Sequence, residues 1–189
     1  MIEMLGVLSI IGVISVGGIG VISSAMQSQR YNQVLSEISQ LAEDGRRLVC
    51  DYSDDSGYAD ANVAYGVFLY KSGRYPSSLS YDDNGVYSGT LDITYDVATI
   101  DTTGSFSITI GNVPQELCIK ILSNDWGTVR SSGITGVTYG EETSSLSMPV
   151  DLATAATKCV DGANSIKLSY AGCGYVAPAA TAEHNQQGE

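Results

Sequence analysis

Between Glu3 and Arg30 the chain carries no charged residue, and its apolar part, Met4 to Met26, is far longer than an ordinary core segment. Wound as a helix at about 1.5 Å per residue, that part spans about 35 Å, enough for a bilayer core of about 30 Å. It is too long for a signal-peptide core, has no basic region in front and no small-residue cleavage site behind, so it is expected to stay in the mature protein. The helical period continues beyond it. Val34, Leu35, Ile38, Leu41, Ala42, Leu48 and Val49 recur at helical spacing, with Gln33, Glu37, Gln40 and Glu43 assigned to the opposite side. The simplest reading is one helix from about residue 4 to about residue 49. Its first half is apolar all round, and its second half has one stripe that must dock on a domain.

Two features of this helix are unusual. Glu3 stands at the lip of the apolar run, where a carboxylate held in hydrocarbon is costly and calls for a partner, unless it reaches the headgroups and does nothing more. Gly17, Gly18 and Gly20 cluster behind Gly6 and Gly12. Each interior glycine weakens a helix by about 1 kcal/mol against alanine. Glycines allow close helix approach in membranes and mark places where a helix can unwind.

With 189 residues, the chain suits one domain with an appended segment. Its boundaries are read as a transmembrane or filament-core helix over 1–29, a globular domain over 30–176 and a polar tail over 177–189. Twenty-one acids against nine bases give a net charge of −12. That charge repels nucleic acid, which is excluded as a partner, and disfavours lying flat on an anionic membrane. The four cysteines, Cys50, Cys118, Cys159 and Cys173, include no CxxC pair, and His184 is the single histidine. Two disulfides in an oxidising compartment are expected rather than a zinc site, and four cysteines permit three pairings. No acid, base and nucleophile can be assembled, so no enzyme and no cofactor are expected.

The run MIEMLGVLSIIGVISVGGIG resembles the N-terminus of the type IV pilin superfamily. Glu3 falls on the glutamate those proteins carry as the fifth mature residue, Gly12 on their mid-span glycine, and Gly20 where many carry a helix-breaking proline. Here the glutamate is third and the basic leader is absent, so the sequence is expected to begin inside the mature protein or to carry an altered motif. The resemblance implies a homopolymeric helical filament whose N-terminal helices form the core, with Glu3 meeting the amine of a neighbouring subunit. It implies processing by a prepilin peptidase, N-terminal methylation, an inner-membrane pool before assembly, and delivery by pilus machinery to the bacterial surface. It also places the N-terminus in the cytoplasm, whereas the first base, Arg30, on the far side, would mislead a reading by loop charge alone.

After Cys50 the pattern changes. Residues 51–62 read as an acidic loop, and 61–71 as a short helix with Val63, Val67 and Tyr70 inward. Strand-like runs cover Thr90–Val97, Ser105–Ile110, Ile134–Tyr139 and Ser165–Tyr170, with alternation in Phe106, Ile108, Ile110 and in Ile166, Leu168, Tyr170. Between them Pro114 suits a helix start, and Leu117, Cys118, Ile121 and Leu122 make one apolar face. Together these predict an α+β fold: the long helix packed on an antiparallel sheet with short helices. The fragment SFSITIGNVPQELCIKIL is similar to the type IVb branch, in which a small helix carries one cysteine and a late cysteine precedes a strand. That resemblance implies Cys118–Cys159, leaving Cys50–Cys173. Asp51, Asp54 and Asp55 supply oxygen ligands of the kind calcium takes, but without EF-hand spacing, and solvated acidic loops are commoner. Trp126 is expected to pack locally rather than to bind sugar. The resemblance favours a major pilin, for adhesion, motility or conjugation. A pseudopilin or minor pilin of a periplasmic, type II secretion-like filament is the alternative, and a non-polymerising anchored binding protein is a third class.

Overall fold

In the computed structural model the described residues are 2–51, 65–82, 85–99, 105–127 and 132–172. Helix α1 runs unbroken from Ile2 to Asp51, and the side chains described in it are those of Ser23 to Val49. Five smaller elements precede the central part: helix α2 (Tyr65–Lys71), strands β1 (Ser80–Tyr81) and β2 (Val86–Ser88), a 3-10 turn (Thr90–Asp92) and strand β3 (Thr94–Thr99). Strand β4 (Phe106–Val113), helix α3 (Gln115–Ser123), strand β5 (Ile134–Tyr139), helix α4 (Leu152–Lys158) and strand β6 (Asn164–Tyr170) complete the order. The six strands form one antiparallel sheet in the order β1-β2-β3-β4-β6-β5.

The α+β architecture follows from two hydrophobic periods meeting. On the sheet, Val97, Ile108 and Leu168 are register partners across neighbouring strands, as are Tyr95, Ile110 and Ile166. All six are fully buried. Their side chains point to one face, because successive residues of a strand alternate. Ser107 pairs with Ser169 and Thr109 with Lys167, and these small or polar residues occupy the other face. On α1, Tyr31, Val34, Ile38, Leu41, Ala42, Leu48 and Val49 are buried. At Gly45 the helix meets the sheet so closely that a Cβ would stand 2.9 Å from two atoms of the Phe106 ring. The Phe106 ring in turn stacks on Tyr170 at 5.1 Å. Here the glycine is required by packing, not by backbone conformation.

The sequence-level alternation holds in β4 and β6, and the apolar face of α3 is buried at all four positions. Three expectations are corrected. Glu37 does not lie on the outer side of α1; it is 2% exposed, while Leu35 is only half-buried. The segment expected as a strand from Thr90 begins as a 3-10 turn, with Leu91 at φ 63° and Asp92 at φ 57°, and the strand starts at Thr94. In α2 the inward residue is Leu69, with Val67 half-buried and Tyr70 45% exposed. Tyr70 instead lays its ring on Tyr81, with centroids 4.1 Å apart. Val63 lies outside the described residues.

Helix α4 had no counterpart in the sequence reading. Asp151 caps it by accepting a hydrogen bond from the Thr154 amide at 2.9 Å. Hydrogen bonding to Thr154 holds that carboxyl below the usual aspartate range. Trp126 packs locally, as expected: its indole N–H donates to the Ile121 carbonyl at 2.9 Å.

Candidate functional site

The long helix is the most distinctive element of this fold, so its seat on the domain defines the candidate site. Two points of attachment, and a covalent clasp between the small helices beside them, are built from different chemistry. The first is at the neck. Ser23 to Arg30 are all exposed, and Tyr31 is the first buried residue among the described side chains of α1. There the Gln27 amide N–H donates to the Tyr31 hydroxyl at 2.6 Å and to Glu116 Oε2, on the first turn of α3, at 3.0 Å. The Tyr31 hydroxyl donates to the same carboxylate oxygen at 3.1 Å. One turn along α3, Lys120 donates to Asn32 at 2.8 Å and lies 5.9 Å from the centre of the Tyr31 ring. Burial, opposed by Gln27 and reinforced by Glu116, raises the Tyr31 hydroxyl above the ordinary tyrosine value. A groove between the two helices, lined by Ser24, Gln27, Ser28 and Tyr31 of α1 and by Lys120 and Ser123 of α3, lies beside this clamp.

The second point is Glu37. Its carboxylate accepts from the Thr90 hydroxyl at 2.7 Å, the Tyr95 hydroxyl at 2.8 Å, the Thr90 amide at 3.2 Å and Gln33 at 3.4 Å. Every one of these partners is a donor, matching the acceptor-only inventory of a carboxylate. The 3-10 turn exists at this spot for a physical reason. It presents the Thr90 amide and hydroxyl together to the helix, and Gly89 leaves room for them. A Cβ on Gly89 would stand 2.5 Å from Glu37 Oε2 and 2.7 Å from Leu79. Burial first, and then the hydrogen bond to Glu37, push the Tyr95 hydroxyl far above its ordinary value.

The covalent clasp lies between α3 and α4. Cys118 of α3 is bonded to Cys159 at the end of α4, with Cα atoms 5.9 Å apart. Gln115 donates to the Cys159 carbonyl at 3.0 Å. Beside the bridge, Asn164 uses both ends of its buried amide. Its N–H groups donate to the carbonyls of Val113 at 2.9 Å and Val160 at 3.0 Å. Its oxygen accepts from the Val160 amide at 2.9 Å and the Tyr139 hydroxyl at 2.7 Å. These bonds fix the turn between α4 and β6 and thereby aim Cys159 at Cys118.

Of the expected site residues, Cys118 and Cys159 are joined as the type IVb resemblance implied. Cys50 and Cys173 lie outside the described side chains. Glu3, Gly12, Gly17, Gly18 and Gly20 lie on α1, whose backbone is helical through all five positions, but their surroundings are outside the described residues. Asp51, Asp54 and Asp55 are likewise outside the described side chains, and among the described residues no acidic, histidine or cysteine group is set to hold a metal. Among the residues whose side chains are described, which in α1 begin at Ser23, no helix is long and apolar enough to cross a membrane. The sequence reading missed Glu37 and Asn164. A signal for Glu37 was present, since it stands three residues after Val34 and one before Ile38 and so belongs to the docking stripe. No spacing marks Asn164, whose bonds to Val113 and Tyr139 are set by tertiary contact.

A long helix clamped by its second half on one face of a six-stranded antiparallel sheet, with a disulfide-bonded pair of small helices beside it, is the architecture of a pilin. The family model described as PilS N terminal matches residues 28–171, three-quarters of the chain. The chain belongs to this family of type IV pilins. It is also similar to an NMR structure of the type IVb pilin PilS from Salmonella typhi, at 22% identity and a TM-score of 0.46, over 74% of this chain and 95% of that one. No curated protein matches by sequence.

Proposed function

We propose that the chain is the structural subunit of a type IV pilus-like surface filament and that it polymerises through the N-terminal part of α1. The observation that carries this reading is the division of one helix. It is continuous from Ile2 to Asp51, yet among its described side chains burial against the domain begins at Tyr31, one turn after the Gln27 hydrogen bond to Glu116. The domain seats the second half, and the first half, apolar by sequence, serves in this reading to meet lipid before assembly and other copies after it. Exchanging lipid for protein around such a helix costs little hydrophobic energy, so packing and polar pairing decide whether it occurs. Glu3 is the residue proposed to make that pairing, with the amine of the next subunit, and the glycines from Gly12 to Gly20 are the places proposed to unwind as the helix leaves the membrane. An ion pair in a dry core selects register more than it adds stability.

Glu3→Ala tests this directly. The variant is expected to remain folded and membrane-bound in producing cells while filaments sheared from those cells disappear. Normal filament yield would sink the assembly role. Wild-type cells that shed no filament containing the chain would favour a periplasmic pseudopilin instead.

A further inference from the structure

The groove between α1 and α3 holds two charges that the packing of the subunit does not use up. Its α1 wall is Ser24, Gln27, Ser28 and Tyr31, and its α3 wall includes Glu116, Lys120 and Ser123. It encloses about 470 Å³, within the range of about 300–1,000 Å³ usual for small-ligand sites. Glu116 and Lys120 stand one turn apart on α3, which sets their Cβ atoms about 5–6 Å apart. They are not ion-paired with each other or with any other described residue. Both hydrogen bonds that Glu116 accepts, from Gln27 and from the Tyr31 hydroxyl, fall on Oε2, and among the described residues Oε1 accepts none. Lys120 spends one of its three N–H donors, on Asn32. An anion alone in this groove would face Glu116, and a cation alone would face Lys120. A group that carries both charges a short distance apart satisfies both.

The height of the groove says where such a group comes from. The apolar run ends at Met26, which is 57% exposed. From Ser24 to Ser28 the helix climbs about 6 Å at about 1.5 Å per residue. One polar layer of a bilayer is about 5–7 Å thick, half the difference between a full thickness of about 40–45 Å and a core of about 30 Å. With the apolar run in lipid, the α1 wall of the groove therefore lies at the level of the headgroups. Tyr31, with its ring buried and its hydroxyl bonded at the groove, suits that level too. A net charge of −12 disfavours an anionic headgroup. A zwitterionic one carries no such penalty.

We propose that the α1–α3 groove is a site for the headgroup of a zwitterionic phospholipid with a primary ammonium, of the phosphatidylethanolamine class. Lys120 takes the phosphate, among the hydroxyls of Ser24 and Ser28, and Glu116 Oε1 accepts from the ammonium. Ethanolamine sets its two charges two carbons apart, a separation that one helical turn can match. A choline headgroup has the same charges but no N–H to donate, so it forgoes the charge-assisted hydrogen bond to Glu116. The site rests on the membrane-inserted subunit proposed above. An occupied groove ties α3 as well as α1 to the bilayer surface, and so fixes the tilt of the domain while the subunit awaits assembly.

The test places the full-length chain in nanodiscs of phosphatidylethanolamine, phosphatidylcholine and phosphatidylglycerol in equal parts. Lipids retained after transfer to mild detergent are identified by native mass spectrometry, and hydrogen exchange in β4 and β6 checks that each variant is folded. The parent chain is expected to retain phosphatidylethanolamine about tenfold over phosphatidylcholine. Glu116→Gln keeps an acceptor for the Tyr31 hydroxyl but loses the charge, and should erase that preference. Lys120→Met should lower retention of both zwitterionic lipids about tenfold. Lys71→Met, at an exposed lysine on α2, should change nothing. An inserted, folded parent chain that retains the three lipids equally, or prefers phosphatidylglycerol, would overturn the site. So would a Lys120→Met chain that behaves as the parent, or a Lys71→Met chain that loses as much lipid. Retention of a second copy of the chain in place of lipid would give the groove to subunit packing and overturn it likewise. A chain that does not enter the nanodiscs would instead bring down the membrane-inserted subunit itself, and the site with it.

Discussion

Glu37 and Asn164 are two of the three buried polar side chains among the described residues, and they solve the same problem by opposite means. Glu37 reaches across the fold. Its partners Thr90 and Tyr95 are 53 and 58 residues away. Asn164 works mostly at home, closing on Val160 four residues back, and the Cys118–Cys159 bridge holds the same corner. The first hub is therefore the point at which hydrogen bonds key the long helix to the sheet, within the apolar stripe that seats it. The second shapes a corner whose geometry the disulfide already limits. The long helix is thus keyed by hydrogen bonds on the β3 side, while the small helices α3 and α4 beside it are fastened to each other covalently.

Removing the bridge is expected to have the largest effect. In the chain-entropy model, Cys118→Ser with Cys159→Ser frees a loop set by a sequence separation of 41, at a cost of about 4 kcal/mol. Denaturant titration of the oxidised protein against the double variant measures it. A cost under about 1 kcal/mol would show that the corner is held by Asn164 and packing instead.

Next comes Glu37→Ala, which strands the Tyr95 and Thr90 hydroxyls inside the fold. Unfolding free energy should fall by about 3 kcal/mol. Hydrogen exchange should rise along α1 near residue 37 more than in α3. Equal protection in both variant and parent would show that the apolar stripe alone seats the helix.

Asn164→Ala should cost about 2 kcal/mol with the bridge intact, and the cost should grow when the bridge is removed, because the two act on one turn. Strict additivity in that double-mutant cycle would separate the hub from the disulfide.

The smallest effect concerns Asp44, on the docked half of α1. Burial, and then the neighbouring Glu43, raise its carboxyl above the ordinary value of 3.8, against the attraction of Arg47 and Arg74. A raised carboxyl pKa in the folded state means that the charged form weakens folding. That penalty is full at neutral pH, declines as pH falls through the raised folded value, and is gone below 3.8. Asp44→Asn should therefore stabilise at pH 7 by about 0.5 kcal/mol or less, and the gain should vanish in acid. A gain that persists below the unfolded carboxylate range would trace to something other than charge.

The strands β4, β5 and β6 and the helix α3 were legible because each has a run long enough to show its period. Phe106, Ile108 and Ile110 alternate, and Leu117, Cys118, Ile121 and Leu122 recur at helical spacing. Strands β1 and β2 were not, since two or three residues cannot display a period of two. Helix α4 escaped because it buries only Ala155 and so carries no stripe to read. Glu37 was misplaced because polarity was read as exposure.

By itself the sequence determined the long helix, the division of its apolar character, the charge of the domain and the α+β class, for these depend on residue type and local spacing. Only the tertiary structure decided that Glu37 is the key between helix and sheet, that Asn164 aims Cys159, and which apolar side chains, such as Phe68 and Leu152, stay exposed. Burial of a polar group depends on whether distant residues bring donors to it, and the position of a surface patch depends on strand order. Neither quantity exists until segments fifty residues apart have met.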